Sequence, residues 1–371
     1  MSTYFDAAQK LYTYLLNHHW QSGQLSGPDI GIRFNSRILR FIKSYLAFIP
    51  WKDNYYYIQG QAYWVMCNWV MFKKTGDNRY RDVAVEATDT ILKSQLDNGA
   101  WVYPNPEWAG RYATVEGCFG AIAMLKTYGH TQNEDLLTAS RRWYDFMVTE
   151  VGFQEEDSML AVNYFSNVSK AKVPNNTTLA LQMIGVFMEV TGDQHYMEYA
   201  APMVKWLNHV QLPSGELPYS VTSEQGQGRT HLFCYQYNAF EFMDIVDYYQ
   251  ATNDEAIVPV IRLMTDYLAG GITQNGTALF ECDRSTPEVL YYTVAVAHAL
   301  SIATSMGFGD YRELSNRAYQ RVLKEQQQNG RFNYFSIKNY GFLVDARMYP
   351  RSLSMLCYHL LEESLDRQPK T

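Results

Sequence analysis

Gln211-Leu212-Pro213-Ser214-Gly215-Glu216-Leu217-Pro218-Tyr219 is the stretch that decides the fold, because the chain writes it more than once. A Gln closes a helical pattern, a polar turn with Gly follows, and a short aromatic run ends the phrase. The same order stands at Gln95-Leu96-Asp97-Asn98-Gly99-Ala100-Trp101-Val102-Tyr103 and at Gln326-Gln327-Gln328-Asn329-Gly330-Arg331-Phe332-Asn333-Tyr334. Looser copies begin at Trp20-Gln21-Ser22-Gly23, Phe153-Gln154-Glu155-Glu156 and Gln274-Asn275-Gly276. Self-similarity that runs from end to end marks a repeat architecture and argues for one closed unit over residues 1–371.

Between the copies the apolar residues fall at helical spacing, and the helices come in pairs. The predicted pairs are 57–74 with 78–96, 114–128 with 133–151, 176–190 with 195–210, 232–250 with 254–268, and 288–306 with 311–327. A last helix, 345–365, stands alone, and 3–19 opens the chain. Tight links join each pair: Thr75-Gly76-Asp77, Thr191-Gly192-Asp193 and Thr252-Asn253-Asp254. Gly or Asn supplies a left-handed residue after one helix, and Asp caps the next. First helices are apolar along their length (Val294, Ala295, Val296, Ala297), whereas second helices carry a charged face (Arg312, Glu313, Arg317, Arg321). That asymmetry separates an inner ring from an outer ring. The expected fold is an all-α (α/α)6 toroid of six helical hairpins, closed by pairing the first helix with the last. Residues 36–50, with Ser36 as N-cap, read as a helical insertion.

The composition suits such a body, with 47% hydrophobic and 19% charged residues. Aromatic content of 15%, including 30 Tyr and 8 Trp, fits either core filling or the wall of a wet cavity. A net charge of −7 and a pI near 5.7 argue against nucleic acid as a partner. No apolar run approaches the length of a membrane span, and five scattered cysteines without CxxC spacing fit a reducing, cytoplasmic setting. Neither a metal nor an organic cofactor is expected. The sequence does not indicate an oligomeric state.

In a toroid the long connections between repeats gather at one face, where the N-termini of the inner helices meet. Chemistry is expected there. Glu116, Glu288, Asp345 and His231 are the catalytic candidates. Glu116 sits at the start of an apolar helix, a poor place for a solvated charge. Glu288 follows Pro287 and Asp345 opens the last helix, so each reads equally as a helix-terminus charge. His231 stands on a connection beside aromatics. Candidate substrate contacts are Gln61, Trp101, Tyr103, Trp108, Arg111, Asn176, Tyr235, Tyr292 and Tyr349, together with Arg347 and Arg351. The two arginines, one turn apart, read as an anion clamp or as rim ion pairs. Rings stack on Tyr and Trp while Arg and carboxylates take hydroxyls or an acid group, so the ligand is a polar ring such as a small sugar or oligosaccharide.

The hairpin repeat, the Thr-Gly-Asp links and the Gln-x-x-x-Gly-x-aromatic turns resemble the six-hairpin glycosidase-like superfamily. That group includes unsaturated glucuronyl hydrolases, N-acylglucosamine 2-epimerases and the toroidal domain of glucuronyl C5-epimerases. Gln59-Gly60-Gln61-Ala62 is similar to the start of a helix in the last of these. The resemblance implies a carbohydrate-active enzyme that works by general acid/base chemistry on a uronic-acid-type or other polar sugar, as hydrolase, lyase or epimerase. The alternatives are a non-catalytic toroid that binds a glycan or a protein, and a terpenoid- or prenyl-processing toroid with an apolar, almost carboxylate-free lumen. Against prenyl chemistry, Glu281-Cys282-Asp283 reverses the Asp-x-Cys order of that zinc site.

Overall fold

The computed structural model describes residues 3–46, 53–166, 171–223, 226–337 and 343–365. Helix α1 (Thr3–His18) and the short α2 (Ile38–Lys43) come first. Five hairpins follow: α3 (Ile58–Thr75) with α4 (Asn78–Ser94), α5 (Thr114–Thr131) with α6 (Glu134–Phe146), α7 (Pro174–Thr191) with α8 (Ala200–Val210), α9 (Cys234–Thr252) with α10 (Val258–Gly270), and α11 (Leu290–Ser305) with α12 (Arg312–Leu323). The last helix is α13 (Pro350–Glu363). It packs against α11 and α3, which closes the inner ring, and against α1, which is its outer partner. The architecture is the (α/α)6 toroid.

Burial follows the expected asymmetry. In α11 nearly every side chain from Thr293 to Leu300 is buried, because neighbours cover it on both sides and the outer ring covers its back. In α12 only Ser315, Ala318, Tyr319 and Val322 are buried, a single stripe at helical spacing.

The hairpin links work by one chemical device. The hydroxyl of Thr75, Thr131, Thr191 or Thr252 donates to the carbonyl four residues back and accepts the N–H of the capping residue two positions on. Gly76, Gln132, Gly192 and Asn253 between them are left-handed. Asp77, Asn133, Asp193 and Asp254 then cap the next helix by accepting a backbone N–H. Thr131-Gln132-Asn133 is thus a copy of the link that the sequence disguises.

The Gln turns close the outer ring. Gln95 Nε2 donates to its own turn at the Gly99 carbonyl and to Ala139 of α6. Gln211 does the same to Gly215 and Val260 of α10, and Gln326 to Gly330 and Ala7 of α1. Each Gln therefore staples the end of one outer helix to the next, and the last staple joins α12 to α1. The glycines press on the neighbouring helix with positive φ. A Cβ on Gly330 (φ 88°) would stand 2.5 Å from the Lys10 carbonyl oxygen. The degenerate third copy is a hairpin of β4 (Phe153–Glu156) and β5 (Met159–Val162), and the opening copy holds β1 (Trp20–Gln21) and β2 (Gln24–Gly27), which pairs in turn with β3 (Tyr55–Tyr56).

Some boundaries differ from the sequence expectation. The helix expected from 195 begins as a 3-10 turn at Gln194–Tyr199, and the one expected from 254 as Glu255–Ile257; both become α-helical just before a proline, Pro202 and Pro259, that suits a first turn. The helix expected over 133–151 finishes in a π turn, Met147–Val151. The last helix starts at Pro350 and not at Asp345, so Asp345 and Arg347 belong to a connection. Arg37, without a side-chain bond, replaces Ser36 as the residue before α2, and residues 47–50 of the expected insertion lie outside the described residues.

Candidate functional site

The inner helices surround a cavity of about 460 Å³. Its upper wall comes from the first turns of the inner helices (Gln59, Asn175, Gln236, Tyr237, Tyr291, Tyr292, Arg351) and from connections (Tyr103, Tyr164, Tyr219, Phe233, Phe280, Tyr334). Lower down stand Tyr63, Phe119, Leu179, Phe240, Met355 and Asp244. Asp244 is ten residues past the start of α9, hence roughly 15 Å deeper along the axis.

Arg351, on the first turn of α13, is the charged centre of the upper wall. Its Nε donates to Asp29 Oδ2 at 2.7 Å and its Nη2 to Asp29 Oδ1 at 2.8 Å, while Nη1 donates to Gln59 Oε1 at 2.8 Å. The guanidinium lies 4.4 Å over the Tyr57 ring. Asp29 is oriented in turn by the Gly31 N–H at 2.7 Å. These bonds use three of five guanidinium N–H groups, so the arginine is fixed in direction and retains donors for a ligand.

Phenols surround that charge. Burial raises them all and holds them protonated at neutral pH, Tyr237 and Tyr291 well above the ordinary range. Tyr164, although almost wholly buried, is raised only to about 12, because the Arg351 charge and a bond with Tyr103 oppose its desolvation. Among the phenols that feel Arg351, Tyr164 loses its proton most readily.

Among the residues expected at the site, Tyr103, Tyr292 and Arg351 line the cavity. Glu116 is buried behind that wall. Its Oε2 accepts the Ile58 N–H at 2.6 Å, capping α3 from the neighbouring helix, while Oε1 has no hydrogen-bond partner. Desolvation raises Glu116 to about 7 against the opposing charge of Arg351. Glu288 is held by Arg321 at 2.7 Å and by the Thr277 hydroxyl at 3.2 Å. Asp345 accepts both Nε and Nη2 of Arg347, whose guanidinium rests 4.6 Å over Phe335. The structure therefore splits the expected pair of arginines. Arg351 faces the lumen, and Arg347 stands behind Phe335. His231 is exposed and turns Nδ1 to Glu216, away from the lumen.

The remaining expected contacts are spread over the architecture. Gln61 spends its amide on backbone, accepting from Leu25 and donating to Gly23 and Ala87, which seats the first turn copy. Trp101 is buried with Nε1 on the Ile91 carbonyl, and Tyr235 stacks outward on Tyr267. Tyr349 is buried and donates to the Asn35 carbonyl. Asn176 is buried beside the lining residue Asn175. Trp108 and Arg111 form a stacked pair at 4.7 Å on Phe165 at the rim.

Sequence reading missed Asp29 and Asp244. Asp29 sits in a passage, Gly27-Pro28-Asp29, that carries only a turn signal. Asp244 carried a visible one, a carboxylate between Met243 and Ile245 on an apolar helix, the same argument that singled out Glu116. Its Oδ2 accepts from the Thr178 hydroxyl at 3.0 Å, and desolvation raises it far above the usual carboxylate range.

The sequence matches no family model and no curated protein. Solved structures do match. A cellobiose 2-epimerase from Bacillus thermoamylovorans B4167 superposes with a TM-score of 0.69 at 15% identity, over 82% of this chain and 87% of its own. The chain shares its (α/α)6 toroid fold with that enzyme. A polysaccharide lyase superposes with a TM-score of 0.65 at 10% identity, over 99% of this chain and 100% of its own. The α-1,6-mannanase GH76A of Salegentibacter sp. HEL1_6 gives 0.67 at 13% identity, over 97% and 99%. An inactive variant of that mannanase, with two consecutive aspartates changed to asparagine, is known in complex with α-1,6-mannotriose.

Proposed function

We propose that the protein is a carbohydrate-active enzyme that draws an acidic sugar into the lumen and moves a proton on it, as a lyase or an epimerase. The observation that carries this reading is Arg351, locked in direction by Asp29 and Gln59 and presented to a cavity walled by phenols. A sugar carboxylate on the two remaining N–H groups of Arg351 is neutralised there, which lowers the cost of the enolate-like species formed when the carbon next to it loses its proton. Tyr164, in the fraction that has released its phenolic proton to solvent, is the group we assign to take the proton from carbon, and the protonated phenol of Tyr103, bonded to it, is the group that donates one back in an epimerisation. Neighbours with the same fold include an epimerase and a polysaccharide lyase, which supports the class of reaction.

Hydrolysis by paired carboxylates finds less support. Glu288 and Asp345 are each committed to an arginine outside the lumen, and the sequence holds no two consecutive aspartates of the kind exchanged in the inactive mannanase. The terpenoid reading expects an apolar lumen, whereas this one holds Arg351 and Asp244. A shallow binding groove is likewise a poor description of a cavity whose lining runs from Arg351 down to Asp244. No helix among the described residues is long and apolar enough to cross a membrane. A cytoplasmic setting remains part of the proposal, supported by five cysteines with no disulfide among them.

The test is incubation with uronic-acid oligosaccharides in deuterated water. Deuterium entering the carbon beside the carboxylate, or a new conjugated double bond, is the expected result, and Tyr164→Phe abolishes it. Release of reducing ends from neutral sugars with no exchange would overturn the reading.

A further inference from the structure

Behind the lumen wall, two connections distant in sequence bring soft donors together. Cys234 opens α9, His231 precedes it by three residues, and Cys282 comes from the connection between α10 and α11. The two Sγ atoms are 3.0 Å apart, and both sulfurs and a His231 ring nitrogen lie within 4.8 Å of one another. Glu216, its side chain only 3% exposed, sets its two carboxylate oxygens 3.0 and 3.1 Å from His231 Nδ1.

We infer that His231, Cys234 and Cys282 bind a thiophilic divalent cation of the zinc type, with solvent in the fourth position and the Glu216 carboxylate orienting the His231 ring. A tetrahedral zinc with bonds of about 2.3 Å to sulfur and about 2.0 Å to nitrogen separates its sulfurs by roughly 3.8 Å and each sulfur from the nitrogen by roughly 3.5 Å. The carboxylate of Glu216 holds the imidazole in direction from beside the three donors. The sulfurs reach their spacing by parting less than roughly 1 Å, a small side-chain rotation. Two thiolates with one imidazole select zinc or a similarly soft ion over magnesium or calcium, and each thiol releases its proton as the ion binds.

The surroundings hold these donors in place and give the ion a way in. Arg229 donates to the His231 carbonyl at 2.9 Å and to Glu281 at 3.2 Å, tying the two connections together beside the cluster. Phe233 and Cys282 both occupy left-handed backbone, φ 46° and 44°, which non-glycine residues rarely adopt. Phe233 and Phe280, each next to or near one of the cysteines in sequence, line the lumen, where their rings meet edge to face at 5.0 Å. The His231 side chain, 53% exposed, leaves one side open to solvent. A cation here fixes two aromatic residues of the lumen wall from behind, without touching the substrate.

The experiment titrates Co²⁺ into the full-length protein after chelation and reduction. One equivalent that produces a thiolate-to-metal charge-transfer band, displaced by Zn²⁺, is expected of the wild type. Cys282→Ser weakens binding by at least about 100-fold, and Glu216→Gln by about 10-fold. Absence of the band, or unchanged affinity in Cys282→Ser, overturns the inference, and the wild-type spectrum decides the matter even if the variant misfolds. A second arm removes the reductant: slow oxidation of Cys234 and Cys282 that Zn²⁺ prevents supports the site, whereas oxidation to a disulfide at the same rate with and without Zn²⁺ overturns it. The readout is metal binding, so it stands apart from the sugar chemistry proposed above.

Discussion

At one end of the ring, where inner helices hand over to outer ones, Thr75, Thr131, Thr191 and Thr252 repeat the same two bonds to backbone four times. Toward the other end, Arg351 takes side-chain partners from two distant connections, Asp29 and Gln59, and deeper in the lumen Asp244 takes the Thr178 hydroxyl. The contrast separates architecture from function. A polar residue that recurs with a backbone partner satisfies a helix end. One that occurs once, buried and facing a cavity, costs desolvation that the fold does not require.

The sharpest way to break that distinction is to remove the unrepeated ion pair as a unit. Arg351→Met with Asp29→Asn leaves no buried charge without a partner, so thermal stability should stay within a few degrees of wild type. Turnover of an acidic sugar should fall by about 10³-fold, in the range measured for the loss of a preorganised donor to developing negative charge. Steady-state kinetics and a melting curve on the same preparation check both halves. A stability loss with normal turnover would place the pair with the architecture.

The reverse experiment strikes the repeated end. In Gly330→Val a β-branched residue must adopt φ 88° with its Cβ 2.5 Å from the Lys10 carbonyl, where the last turn closes the ring onto α1. Urea unfolding should show a loss of about 4 kcal/mol, while the folded fraction keeps wild-type kcat. A drop in kcat measured well below the melting point would mean that ring closure and the lumen are coupled.

How much of this was legible in sequence follows the same division. Gln211 and its copies at Gln95 and Gln326 stand out because the same staple between neighbouring outer helices recurs there, and similar geometries select similar residues. The link at Thr131-Gln132-Asn133 is hidden because Gln stands at the left-handed position and Asn in place of the capping Asp. Lumen residues carry no such redundancy. Arg347 and Arg351 read in sequence as a pair one turn apart, but Pro350 starts the helix and leaves Arg347 outside it, held by Asp345. Gln61 looked like a binding residue because it is polar at the start of an inner helix. Its equivalents Thr177, Asn238 and Thr293 bond the backbone of the turn copies or the strand beside them in the same way. Helical spacing places a residue on a face and at a depth. It does not say which partner on another element already holds it.

Glu116 belongs to both groups, capping α3 like a structural residue and lying beside Arg351 like a functional one, and its titration sharpens the boundary. Burial raises it from the ordinary 4.5 to about 7, so the folded protein keeps a proton that the unfolded chain gives up. Unfolding then releases that proton, and stability falls as pH rises from about 4.5 to about 7, then levels off. The full span corresponds to roughly 3 kcal/mol. Glu116→Gln should flatten this part of the pH–stability curve. A slope unchanged by the substitution would assign the proton to Asp244 or Glu241, which burial also raises.

Asn133 offers the mildest test, because it carries no charge and sits on the surface far from the lumen end. Its side chain accepts the Asp135 N–H at 3.1 Å, one of the four free donors at the start of α6. Asn133→Ala leaves that donor to water and should cost about 1 kcal/mol in urea unfolding, with turnover unchanged. The same size of effect at Asp193 and Asp254, which cap α8's 3-10 entry and α10's in the same way, would show that the links act as equivalent and independent units. Unequal costs among them would instead show that the ring bears unevenly on its hairpins, with the largest loss marking the repeat whose link is coupled to its neighbours.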